Sequence, residues 1–396
     1  MAQKHLVVAF GGISPEHEVS VLTAMQVLSS LENSAYSLLP LYITKSGKWL
    51  TGEVLLNLES FKDLNQLEQD ALPCTFAKNQ LGTTLLKDTS KPGLFAKNQE
   101  WPVYAVVCAF HGGDGENGAF QGICEVFNVP YTGSGVLASS LGMDKVKAKQ
   151  LCESNGIPIA PSLDFYEGDW EHHQKTILQE AELLGFPLVV KPCSLGSSIG
   201  VKKVDAKTEL IEAVEVAFRY DAHVLIEKAI HPLMEINCSV LGTTETCRAS
   251  VCEQPVGSDE TLSFEDKYQR GDRADKGMAS LDRVIPADIS QELTENIRSL
   301  AMHTFKTFDA AGVARLDFLV NARTKEVYFN EINTIPGSFS FYLWDKSDLN
   351  FTQLMLELID IALKRHQATN GRVRSYSTNL LSEKAAKGLK GLKGTK

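Results

Sequence analysis

The chain has 396 residues, of which 43% are apolar and 22% charged, and a formal net charge of −10. That length is enough for two or three domains with real cores, and the acidic balance argues against nucleic acid as a main partner. No apolar run approaches the roughly 20 residues a membrane span needs, and the N-terminus lacks a signal-peptide pattern, so no membrane partner is expected.

In chain order, the unalternating run Leu-Val-Val-Ala-Phe at 6–10 predicts a strand buried on both faces. Gly-Gly-Ile-Ser-Pro-Glu-His-Glu follows, with Ser14 placed as a helix N-cap and Pro15 at the first helical position. Val21, Ala24, Met25 and Leu28 then keep helical spacing. The unit is a strand, a Gly-rich turn and a helix, which opens an α/β domain. It is not G-x-G-x-x-G and carries acids in place of a lysine, so neither a dinucleotide nor a Walker-type loop is expected. Glu16 reads either as a dipole-favoured surface acid or as a carboxylate aimed over the strand ends at an ammonium group.

Residues 37–44 predict a second strand, 51–100 show little periodicity, and 103–110 predict another buried strand. The glycines of His-Gly-Gly-Asp-Gly-Glu-Asn-Gly at 111–118 suit backbone lying close to a ligand, at the strand ends where open α/β sheets bind. Lys145 lies near a helix start, away from the end where the dipole favours a cation, and hints at an anionic partner. Lys191 ends a strand at 187–192, and the Gly/Ser loop at 194–200 offers N–H and hydroxyl donors for phosphate. A helix is expected over 207–220, and strands over 223–230 and 234–242. The polar, aperiodic segment 257–283 reads as a lid or binding loop.

Residues 314–320 and 327–333 predict a β-hairpin turning at Asn321–Thr324. Period-2 alternation groups Val327, Phe329, Glu331 and Asn333 on one face, and pairs Arg315 with Asp317. Hard oxygen ligands of this kind suit Mg²⁺ held between carboxylates and phosphates. A last helix is expected over 351–367, and the basic, Gly-rich end from 383 reads as solvated and disordered. The eight cysteines form no C-x-x-C pair and mostly sit in apolar context, so they read as reduced core residues of a cytoplasmic protein.

The ordered set Gly-Gly-Ile-Ser-Pro-Glu-His-Glu, His-Gly-Gly-Asp-Gly-Glu-Asn-Gly, Tyr-Thr-Gly-Ser-Gly with Met-Asp-Lys, Val-Lys-Pro-Cys-Ser-Leu-Gly-Ser-Ser-Ile-Gly and Asn-Glu-Ile-Asn-Thr-Ile-Pro-Gly-Ser resembles the D-alanine–D-alanine ligases, from residue 5 to about 365. The resemblance implies a mixed α/β and α+β, three-domain ATP-grasp fold. It would comprise an N-terminal α/β substrate domain (1–142), a central ATP-grasp subdomain (143–229), a C-terminal ATP-grasp domain with lid and metal site (230–367) and a basic tail (368–396).

It further implies ATP as co-substrate, two Mg²⁺ ions or Mn²⁺ in their place, D-alanine as substrate, and a homodimer. Lys145 and Lys191 would contact the ATP phosphates under the loop of Gly196, Ser197 and Ser198. Glu227, Lys228 and Glu235 would contact the adenosine, with Asn330 beside the nucleotide. Lys267 and Tyr268 would form the lid tip, with Lys267 reaching the γ-phosphate. Asp317, Glu331 and Asn333 would hold metal. Glu16, linked to Ser197 and Tyr268, would bind the first D-alanine's ammonium, while Arg315 and the Gly337 N–H would stabilise an oxyanion. Asn117 stands where the family often has Asp, and Tyr342 where many members carry a small hydroxyl residue. A second substrate such as D-lactate or D-serine is the alternative. So is a nucleotide-binding regulator without turnover, which would need no such metal and oxyanion groups together.

Overall fold

The structure, a computed structural model, describes residues 3–91, 98–256 and 283–375. The first sheet contains β1 (His5–Gly11), β2 (Ser37–Ile43), β3 (Trp49–Thr51), β4 (Leu72–Lys78), β5 (Thr84–Asp88) and β6 (Glu100–Cys108). β1 runs parallel to β2 and β6, and antiparallel pairs through β3, β4 and β5 close the ring into a barrel. Leu6 to Phe10 are all buried, as a strand covered on both faces requires. The stretch 51–100 therefore does have a role: Cys74 and Phe76 of β4 point inward while Pro73 and Thr75 are exposed.

The first helix, His17–Leu31, starts later than the Ser14–Pro15 reading. Ser14 does not cap it. Its hydroxyl accepts the Glu16 N–H at 3.0 Å and donates to the His111 carbonyl at 2.7 Å. The chain must first cross the ends of β1 and β6, and Ser14 ties that crossing down. Val21, Ala24 and Leu28 are buried as expected, while Met25 is only partly so.

The second sheet contains β7 (Ser162–Tyr166), β8 (Leu188–Pro192), β9 (Lys202–Val204) and β10 (His223–Lys228), ordered β7-β10-β8-β9. Helices Glu167–Leu184 and Lys207–Ala217 pack on one face, against Val190, Val224 and Ile226. Alternation then turns His223, Leu225 and Glu227 to the other face, where Leu225 meets Val146 of helix Lys145–Ser154. That helix also sends Ala148 and Cys152 into the core of the third sheet.

The third sheet is β11 (Leu233–Gly242), β12 (Cys247–Pro255), β13 (Arg283–Val284), β14 (Gly312–Asn321) and β15 (Val327–Asn333), ordered β13-β12-β11-β14-β15. Helix Gln291–Thr307 covers it, capped by Ser290, whose hydroxyl accepts the Leu293 N–H at 3.2 Å. Asn321 closes the β14–β15 turn by accepting the N–H groups of Arg323 and Thr324 at 3.0 and 3.1 Å.

Strict alternation fails within β15. Asp317 pairs with Glu331 but Phe318 pairs with Phe329, so Asn330 is an extra residue. This β-bulge reverses the facing of the strand: Val327, Phe329 and Ile332 enter the core, while Asn330, Glu331 and Asn333 line the opposite side.

The final helix, Phe351–Asn370, extends past the expected 367. Its Leu354, Met355, Leu358 and Ile359 share one core with β1 and β6. All eight cysteines are free thiols, seven of them buried. Among the described residues no helix is long and apolar enough to cross a membrane. Lys267, Tyr268 and the basic end of the chain lie outside the described residues.

Candidate active site

One cleft collects Glu16, Lys145, Lys191, Gly196, Ser197, Ser198, Glu235, Arg315, Asp317, Asn330, Glu331, Asn333 and Gly337. It lies where the strand ends of the barrel, the second sheet and the outer face of the third sheet meet. Residues far apart in sequence arrive there by simple local rules.

Glu16 enters from the β1 crossing and accepts a hydrogen bond from the Ser197 hydroxyl. Gly112 has φ +65°, and a Cβ there would stand 2.8 Å from both Glu16 Oε2 and Ser14 Oγ. Only glycine permits that approach. Ser197 and Ser198 have φ of 54° and 58°, an uncommon left-handed pair that turns the Gly/Ser loop over the cleft.

Lys191 reaches Asn330 Oδ1 at 2.9 Å and is ion-paired to Glu227. Glu227, 2% exposed, also pairs with Lys149. Burial alone would raise the Glu227 pKa, but the two ammonium groups outweigh it and hold the carboxyl down at about 2. The Glu227 carboxylate thus sits beneath Lys191. Lys228 donates to the carbonyls of Gly185 and, at 3.0 Å, Phe186. Glu235 does line the cleft. Lys145 donates to the Leu195 carbonyl. Burial lowers its pKa, an effect that nearby Glu331 partly offsets.

On the hairpin, Arg315 Nε and Nη2 each bind one oxygen of Asp317 at 2.7 Å. Burial opposes the charge on Arg315, and the Asp317 carboxylate more than restores it. Asn333 Nδ2 donates to Asp317 Oδ2 at 3.1 Å, so its carbonyl oxygen is the atom it has to offer a cation. Asp317 Oδ2 takes bonds from both Arg315 and Asn333, while Oδ1 keeps a second lone pair beyond its bond to Arg315. The set fits a hard divalent ion: two carboxylates and an amide oxygen from paired strands, Asp317 opposite Glu331. After Gly337, Ser338, Phe339 and Ser340 have φ of 49°, 56° and 51° and are all buried. Such a run persists only where packing over-determines it.

Several lining residues escaped the sequence reading. His111 and Glu116 sit inside a motif singled out for its glycines alone. Glu116 accepts the Gly112 N–H at 3.0 Å and the Ile335 N–H at 3.1 Å, joining the β6 and β15 exits. Burial, then the charge of Glu16, pushes its pKa up to about 7. His111 is within 3.1 Å of the Ile335 carbonyl and 2.8 Å of Thr23 Oγ1. The network makes Nδ1 the donor and Nε2 the acceptor. Burial lowers its pKa to about 4 and keeps it neutral.

Glu253 is 1% exposed and takes bonds from Asn237 at 3.0 Å, Arg283 at 2.7 Å and Tyr342 at 3.2 Å. It is the only acid in β12, and that was the available signal. Tyr342 lies behind this wall, its ring 4.2 Å from the Arg283 guanidinium. Asn117 accepts the Ala119 N–H at 3.0 Å, a bond that an Asp would make equally well.

Models of the D-ala D-ala ligase N-terminus and C-terminus match residues 5–134 and 151–360. A D-alanine–D-alanine ligase of Thermosipho melanesiensis is 38% identical over 378 residues, covering 96% of this chain and 98% of its own. One of Geobacillus kaustophilus is 35% identical, covering 91% and 95%. Among solved structures, the D-alanine-D-alanine ligase from Coxiella burnetii superposes with a TM-score of 0.78 at 28% identity, covering 94% and 98%. The VanG D-Ala:D-Ser ligase from Enterococcus faecalis gives 0.74 at 30% identity, covering 91% and 99%. Sequence over nine-tenths of the length and the assembled cleft agree, and the chain belongs to the D-alanine–D-alanine ligase family.

Proposed function

We propose that this protein is an ATP-dependent ligase that joins two D-alanines into D-alanyl-D-alanine for peptidoglycan. The observation that carries this reading is the convergence in one cleft of an ammonium-binding acid, two lysines under a Gly/Ser loop, and an Arg beside a hard-oxygen metal set. The relatives at 35–38% identity are D-alanine–D-alanine ligases, which supports the same substrate pair and does not favour D-serine or D-lactate.

A carboxylate is a poor acylating agent, so its oxygen first attacks the γ-phosphorus of ATP, giving an acyl phosphate and ADP. The amine of the second D-alanine then attacks the acyl carbon, and phosphate leaves. Glu16, steadied by Ser197, holds the first ammonium. Lys145 and Lys191 take the phosphates, and the Glu227–Lys149 pair holds Lys191 in place. Arg315 and the Gly337 N–H face the charge that develops on the carbonyl oxygen. Two Mg²⁺, or Mn²⁺, held by Asp317, Glu331 and Asn333 would offset phosphoryl charge when bound. The acyl phosphate hydrolyses readily, so water must be excluded, the role proposed for the segment carrying Lys267 and Tyr268.

Phosphate release by the purified protein with ATP and Mg²⁺ tests the reading, comparing D-alanine, L-alanine, and D-alanine mixed with D-serine or D-lactate, with products identified by mass. D-alanine-dependent release with a homodipeptide is the expected result. Release only with a mixed pair would overturn the substrate assignment, and no release would overturn the ligase reading.

A further inference from the structure

The face of β10 that carries Glu227 also carries His223, and there the cleft's outer shell holds a second group of ligand-type side chains. Asp144 caps helix Lys145–Ser154, accepting the Lys147 N–H at 2.8 Å. Cys193 follows β8, and His223 opens β10. One ligand atom from each of these three lies within 4.8 Å of the others, and the Cys193 thiol donates to Asp144 Oδ1 at 3.0 Å. Cys193 is 0% exposed and His223 6%, while Asp144 is half-buried and leaves one side open to solvent.

The imidazole is oriented in advance. Its Nε2 lies 2.8 Å from Asp164 Oδ2, and its ring stacks on Tyr166 with centroids 4.1 Å apart and planes 10° from parallel. A carboxylate behind a histidine is the outer-shell partner that metal-binding histidines use. The backbone is fixed as well: Cys193 N–H donates to the His223 carbonyl at 3.0 Å, and Asp221 accepts the N–H groups of Ser194 and His223 at 2.7 and 3.1 Å.

We propose that Asp144, Cys193 and His223 form a site for a zinc-class divalent ion, with water as the fourth ligand, separate from the oxygen-only set of Asp317, Glu331 and Asn333. Thiolate, imidazole and carboxylate select Zn²⁺ or Co²⁺ over Mg²⁺. Two inner negative charges match the ion's charge, with Asp164 and Asp221 behind them against the nearby lysines. Bonds of about 2.0–2.3 Å put tetrahedral donors roughly 3.5 Å apart, a change within reach of side-chain rotation. On binding, the S–H bond of Cys193 breaks, an S–metal bond forms and the proton leaves to solvent. Burial pushes the metal-free thiol up to about 12, so Cys193 is no reactive nucleophile on its own. The three ligands come from separate stretches of chain, which is why no cysteine spacing announced them.

The test is a Co²⁺ titration of the reduced, metal-stripped, full-length protein, followed by absorbance. It needs no turnover and so stands apart from the ligase reading. One equivalent should give a near-ultraviolet thiolate-to-cobalt band and the strong visible bands of four-coordinate cobalt. Zn²⁺ should displace it and excess Mg²⁺ should not. Cys193→Ser should abolish the near-ultraviolet band. His223→Gln, checked for folding by circular dichroism, should weaken Co²⁺ binding at least about tenfold. Absence of the thiolate band at saturating Co²⁺, its survival in Cys193→Ser, or unchanged affinity in folded His223→Gln would each overturn the site.

Discussion

Glu331 stands opposite Asp317 across the hairpin, and the proposed metal set depends on its negative charge. Glu331→Gln should lower kcat roughly 100-fold or more while leaving the circular dichroism spectrum unchanged; near-wild-type turnover would refute the metal assignment. Glu116 offers a pH test. Burial raises its pKa to about 7 from the ordinary carboxyl value of 4.5, so between these pH values the unfolded chain has lost a proton that the folded one retains. Stability from this group is therefore highest at acid pH, falls as pH rises from about 4.5 to about 7, and is level above, a loss of roughly 3 kcal/mol. Urea unfolding of wild type and Glu116→Gln across pH 5–8 should show wild-type stability falling relative to the variant by that amount, because the opposite contribution of His111, whose pKa burial lowers to about 4, is common to both. Parallel pH profiles would mean that Glu116 titrates normally. The Glu331 role was legible in the hairpin pattern, but that of Glu116 was not, because burial set it, and burial belongs to the packed loops at 111–116 and 335–338.

At the scale of elements, the most informative misreading is β15. The period-2 pattern correctly put Glu331 and Asn333 together, yet grouped them with Val327 and Phe329, which the Asn330 bulge turns into the core. An extra residue leaves no mark in hydrophobic alternation when Phe-Asn-Glu-Ile satisfies both phases. β10 shows a related case. Its run His-Val-Leu-Ile-Glu-Lys was legible as a strand, but which residues face a helix and which face the cleft required the neighbouring sheet. Glu227 brackets two buried lysines from that strand. Glu227→Gln should destabilise the fold by about 3–5 kcal/mol and raise KM for ATP, because Lys149 and Lys191 would be left with buried, unpaired charge. A thermal unfolding midpoint within a degree of wild type would contradict this.

For the molecule as a whole, helix Phe351–Asn370 and the first strands share one core, so segments more than 300 residues apart fold together. The homodimer that the family resemblance implies predicts a light-scattering mass of twice the 43.5 kDa chain, and a monomer at micromolar concentration would rule it out. By itself the sequence determined the strand–helix rhythm, the hairpin and the residues brought to its open face, since these follow from local periodicity and turn chemistry. It also carried the ordered motifs that mark the family. Only the tertiary structure decided the closed barrel, the burial of Glu227 beneath Lys191 and the meeting of Asp144, Cys193 and His223. Each of these depends on contacts between residues distant in the chain, where desolvation and charge pairing act through space and leave no local pattern to read.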